Sequence, residues 1–74
     1  MVSEKKRLDM VRCEVQQVAG EFEARVLVDG RMIDFAVHAS KDMAIYWSSM
    51  RKHQISDVVD DPEWRAQHGL QPLD

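Results

Sequence analysis

Asp29-Gly30 separates FEARVLV, residues 22–28, from MIDFAVHA, residues 32–39, and both stretches alternate apolar with polar residues. Alternation at period two marks strands with one buried face. An Asp-Gly pair between two such strands is a strong hairpin signal, because both central residues of the tight turn take positive φ. The dipeptide therefore sets a register as well as a bend. A two-residue loop puts Val28 opposite Arg31; counting back puts Val26 opposite Ile33, Ala24 opposite Phe35 and Phe22 opposite Val37. On the other face the same count brings Arg25 against Asp34 and Glu21 against His38. Apolar then meets apolar and charge meets opposite charge, an agreement that a one-residue slip destroys.

VRCEV, residues 11–15, alternates in the same way, and Ala19-Gly20 offers a second short turn. A two-residue loop there sets Val15 opposite Ala24, Cys13 opposite Val26, Val11 opposite Val28 and Glu14 beside Arg25. The expected product is an antiparallel three-stranded meander with one apolar face. Its outer face would carry Leu27, Met32 and Ala36 among Arg12, Glu14, Arg25 and Asp34.

The dry face needs a cover. In VHASKDMAIYWSSMRKH, residues 37–53, the apolar period lengthens after Ser40, which is a good N-cap, and Asp42 suits the positive end of a helix. Stepping roughly 100° per residue from Lys41 gathers Met43, Tyr46, Trp47 and Met50 on one face, the expected buried one. Lys41, Ile45, Ser48 and Lys52 fall opposite, and Arg51-Lys52-His53 is a suitable basic end. QISDVV, residues 54–59, reads as a fourth strand or a turn. In DDPEWRAQHG, Asp61 caps, Pro62 opens and Gly69 stops a short helix. Trp64 and His68 share one of its faces.

The fold class expected is α+β: a three-stranded antiparallel β-meander packed against one α-helix (β-β-β-α), with a short C-terminal helix. Residues 1–10 form a basic N-terminal segment, 11–70 a single domain and 71–74 a flexible tail. The core of a 74-residue chain supplies only about 3–5 kcal/mol unaided, and small domains often add a metal, disulfides or self-association. A single cysteine, Cys13, makes no internal disulfide. The basic start lacks an apolar secretory core, and no segment has the roughly 18 apolar residues of a membrane span. The expectation is a cytoplasmic chain without a membrane.

Catalytic signals are weak. Cys13 falls on the face expected to be buried, where a thiol is a small hydrophobe. His38, His53 and His68 recur at an interval that no metal chemistry demands. Asp57, Asp60, Asp61 and Glu63 lack the glycine and the ligand order of a calcium loop. No nucleophile elbow or glycine-rich phosphate cradle is present. Catalytic residues, cofactor and metal are therefore all expected to be none.

Charge is uneven. Residues 1–12 sum to +2 (four basic, two acidic), 13–53 to −1 (five and six) and 54–74 to −4 (one and five), giving −3 for the chain. Nucleic acid is a disfavoured partner on that total. Nonetheless GEFEARVLVDG followed by SKDMA resembles the latter part of a double-stranded-RNA-binding domain, over roughly 30 residues. The resemblance implies Lys41 at phosphates. Asp42 stands where a second lysine would help, and the segment before Val11 is short for that family's first helix. A nucleic-acid regulator would use Lys5, Lys6, Arg7, Lys41 and Lys52. The favoured expectation is a non-enzymatic interaction protein that meets a protein partner or itself as a homodimer. Its candidate surface is Arg25, Leu27, Met32, Ile45 and Trp64, unless the last helix folds back over the outer face through Trp64.

Overall fold

The computed structural model describes residues 2–73; residue 1 of the basic segment and residue 74 of the tail lie outside the described residues. In chain order the elements are α1 (Glu4–Asp9), β1 (Val11–Val18), β2 (Glu21–Val28), β3 (Arg31–His38), α2 (Lys41–Ser56) and α3 (Pro62–Gln67). The strands form one antiparallel sheet in the order β1-β2-β3, with β1 and β3 at its edges. The expected meander, long helix and short C-terminal helix are all present. The basic segment adds α1, whose first turn is capped by Ser3 Oγ accepting from the Lys6 amide.

Both tight turns take the backbone that their sequences require. Ala19 and Gly20 sit at φ 52° and 82°, and Asp29 and Gly30 at 53° and 77°. The β1–β2 register is the expected one throughout, with Val11 opposite Val28, Cys13 opposite Val26 and Glu14 opposite Arg25.

The β2–β3 register departs from expectation after two pairs. Val28 faces Arg31 and Leu27 faces Met32, but a bulge follows, so Val26 faces Asp34 rather than Ile33. Beyond it Arg25 faces Phe35, Ala24 faces Ala36, Glu23 faces Val37 and Phe22 faces His38. An extra residue in one strand inverts every later side chain relative to its partner strand. Phe35 and Val37, expected inside, stand exposed on the outer face, while Asp34 and Ala36 turn toward α2. Asp34 accordingly reaches Arg51, at 2.7 Å, instead of Arg25. Arg25 pairs along its own strand with Glu23 instead, at 3.6 Å.

Helix α2 explains the inversion. It lies chiefly over β1 and β2 and buries Ala44, Ser48, Ile55 and Ser56, with Trp47 half-buried beside them. This stripe of mostly small residues lets the helix sit close to the sheet, above the fully buried Ala24 and Val26. A phenylalanine opposite Ala24 would occupy the space α2 takes; Ala36 does not. The two serines cost little to bury, since Ser48 Oγ donates to Ile45 O at 3.0 Å and Ser56 Oγ to His53 O at 2.7 Å. Met43, Tyr46 and Met50, expected to be the buried face, are instead in water; only Trp47 of that set packs on the core. The helix also runs three residues past His53, so QISDVV is helix end and turn rather than strand.

The core proper is Val11, Val26, Val28, Ile55, Val59 and Leu70, with Met10, Cys13, Ile33, Trp47 and Trp64 packed on it. It lies toward the Asp29-Gly30 end of the sheet. Arg65 closes that end while only 1% exposed: its guanidinium donates to Gln71 O at 2.6 Å, to Val59 O at 2.9 Å and to Asp29 Oδ2 at 2.6 Å. One side chain thereby ties α3, the chain after it and the turn before α3 to the β2–β3 hairpin.

Candidate interaction surface

Three contacts orient α2 about its axis. Trp47 lies against His38, with ring centroids 5.8 Å apart, and Arg51 meets Asp34, both on β3. On the other flank Cys13 of β1 donates its thiol proton to Ser48 O at 3.3 Å. At 100° per residue, Met43 and Met50 continue the Trp47 flank away from the sheet, and Tyr46 comes next. Met43 and Met50 therefore lie toward the β3 side of the helix, and Tyr46 stands on its crest, pointing away from the sheet. Tyr46 is the most open of them, at 66%.

On the sheet's other face, β3 presents Met32, Phe35 and Val37, all exposed, beside the half-buried Leu27. The free edge of β3 thus runs between two groups of apolar side chains, one on the outer face and one on the helix. The outer face grows polar toward β1, where Arg12 and Glu14 make a loose ion pair at 3.8 Å.

The edge itself has a defined polarity. The Phe35 amide donates to its neighbour Asp34 Oδ1 at 2.8 Å, so it is not spent on β2. Backbone groups alternate sides along a strand, which places the amides of Phe35 and Val37 on the open side. Asp34 bridges this edge and the helix, with one carboxylate oxygen on the Phe35 amide and the other on Arg51.

The sequence-derived candidates scatter about this geometry. Arg25, Leu27 and Met32 share the outer face, and Arg25 Nε is buried without a hydrogen-bond partner. Ile45 is exposed, but on the β1 flank of α2. Trp64 packs on the core and against His68, at 4.3 Å between centroids, and does not cover the outer face. Phe35, Val37, Met43, Tyr46 and Met50, which the sequence pattern places in the interior, are all exposed.

The cations are spread along the molecule, though Lys41 and Lys52 share a side of α2 at 100° per residue. Arg7 donates to Val2 O at 2.8 Å, and the charge of Lys52 acts on Cys13. Lys41 stands about 16 Å from Lys52 along the helix, at 1.5 Å per residue. Burial pushes the Cys13 thiol up from its ordinary value of 9.0, against the opposing pull of Lys52 and the contact with Ser48. A thiol so held is a poor nucleophile at neutral pH. Among the described residues no three His, Cys, Asp or Glu side chains converge, no concave pocket opens, and no helix is long and apolar enough to cross a membrane. Comparison with protein-family models, curated proteins and solved structures finds no match.

Proposed function

We propose that this chain is a small non-enzymatic interaction protein that works through the β3 side of the molecule: Met32, Phe35 and Val37 on the sheet, and Met43 and Met50 on α2, with Tyr46 at the rim. The observation that carries the reading is where the bulk lies. Apart from Ile55 and Leu70, the buried hydrophobic residues are valines and alanines, while Phe35 and the thioether side chains around β3 stand in water. On a soluble chain, clustered exposed apolar side chains mark interaction sites. Arg25 and Leu27 form the rim on the β2 side.

A photo-crosslinking residue at Phe35 tests this against the same residue at Gln16, an exposed outer-face position on β1. In native cells the Phe35 position gives discrete adducts, with this chain or with another protein, and the Gln16 position gives few. Equal labelling at both positions, or none at either, would overturn the reading. So would a low-salt shift of duplex RNA that disappears when Lys5, Lys6, Arg7 and Lys41 are neutralised, since the working surface would then lie elsewhere.

A further inference from the structure

We infer that the occupant of this surface is a second copy of the chain, joined by antiparallel pairing of the two β3 edges about a two-fold axis at Ala36. The inference rests on the reading of the β3 side as an interaction surface and adds partner, symmetry and register to it.

The run Asp34-Phe35-Ala36-Val37-His38 is complementary to itself when reversed. Antiparallel pairing centred on Ala36 sets Asp34 of one copy opposite His38 of the other, and Phe35 opposite Val37. Each pairing occurs twice, as two-fold symmetry demands. Carboxylate meets imidazole on the helix side, and phenylalanine meets valine on the outer side. Centring on Phe35 instead sets Asp34 against Ala36 and Met32 against His38, which matches nothing polar to Asp34.

The hydrogen-bond pattern agrees with the Ala36 centre. The Phe35 amide points away from β2, as its bond to Asp34 Oδ1 shows, and Val37 follows at period two. Phe35 and Val37 therefore form the hydrogen-bonded pair, exchanging both bonds, while Ala36 meets Ala36 in the close, non-hydrogen-bonded position. In the single chain Asp34 occupies the amide that pairing needs, which is one way an edge strand is protected from indiscriminate addition. On pairing, that carboxylate oxygen leaves the Phe35 amide and the opposing His38 turns toward it, bringing out an Nε2 that is buried and without a partner in the single chain. The other oxygen keeps Arg51.

The same two-fold accounts for the apolar flank of α2. In the continuous six-stranded sheet both long helices lie on one face. With α2 seated over β1 and β2, strand spacing of about 4.8 Å puts the two helices roughly 19 Å apart. The gap lies over the paired β3 strands and receives Met43, Trp47 and Met50 from both copies. A standard interface takes about 800 Å² from each partner, a modest share of this chain's 5152 Å².

The test is a cysteine at the axis. In a Cys13→Ser chain, Ala36→Cys brings two thiols across a non-hydrogen-bonded pair, whose Cα separation of about 4.5 Å suits a disulfide. Mild oxidation should convert most of the Ala36→Cys protein to a covalent dimer and leave Leu27→Cys largely unlinked. Sedimentation of the unmodified chain at micromolar concentration should give twice the monomer mass, and Phe35→Glu should return it to one with its helix and strand content unchanged. A dimer in which Ala36→Cys links no faster than Leu27→Cys overturns the register while leaving the interaction surface standing. A strict monomer that crosslinks other proteins at Phe35 overturns self-pairing alone. A strict monomer without site-dependent adducts removes both.

Discussion

The Asp29-Gly30 corner and the β3 side are built on opposite plans. At the corner, valines, Ile55 and Leu70 are sealed from water, and a buried arginine meets two main-chain carbonyls and a carboxylate. On the β3 side the larger apolar groups stand outside, and the polar link between strand and helix, Arg51 to Asp34, is about one-third exposed at both ends. The corner uses polar groups to complete a core; the β3 side leaves apolar groups without one. Stability should therefore reside in the first region and association in the second.

Stability is best measured in the Phe35→Glu background, where association adds nothing to the folding free energy. The largest expected effect is Arg65→Met, a loss of about 3 kcal/mol, because Val59 O and Gln71 O lose their donor and the C-terminal segment its tie. Arg51→Met, which breaks a partly solvated pair, should cost under about 1 kcal/mol. Urea melts of the two variants compare the corner with the open side directly. Equal losses would mean that the latch contributes no more than a surface ion pair. Apolar truncations should divide in the same way: Ile55→Ala costs about 3 kcal/mol and Met50→Ala about 0.5 or less, since only the first leaves a cavity. A Met50→Ala loss matching that of Ile55→Ala would place Met50 inside a core and remove it from the proposed surface.

The β1–β2 half of the sheet was the more legible region. Asp-Gly and Ala-Gly turns state their own geometry, and the β1–β2 register follows from one of them without error. The β3 side defeats the same reasoning for two linked causes. Alternation in MIDFAVHA is equally good on either side of a bulge, since inserting one residue exchanges Phe35 and Val37 for Asp34 and Ala36 without spoiling the period. A helical wheel weighted by hydrophobicity prefers Met43, Tyr46 and Met50 to Ala44 and Ser48, whereas close approach to a sheet prefers small residues. The recurrence of Ala44, Ser48 and Ser56 at steps of four and eight was the available signal. Arg65 gave none: nothing in its neighbours distinguishes a buried arginine from a solvated one, because its partners come from three separate segments of the chain.

Cys13 lies between the two regions, against the core but bonded to α2, and provides the smallest and most local test. Burial raises its pKa above 9.0, so the folded chain holds the thiol proton to higher pH than the unfolded chain does. The stabilisation from a thiol that burial keeps neutral is then complete below pH 9 and falls away as pH rises through the folded value, because only the unfolded state is relieved by ionising. The readout is the difference between the parent and Cys13→Ala, measured by urea denaturation from pH 8 upward, so that only the contribution of the thiol remains. The parent should lose stability faster than Cys13→Ala across that window, and its thiol should react with a disulfide reagent more slowly than in the urea-unfolded chain. Parallel pH curves together with an unfolded-like reaction rate would mean that α2 does not close over β1. The close seating of the helix, and with it the argument that turns Phe35 outward, would then be lost.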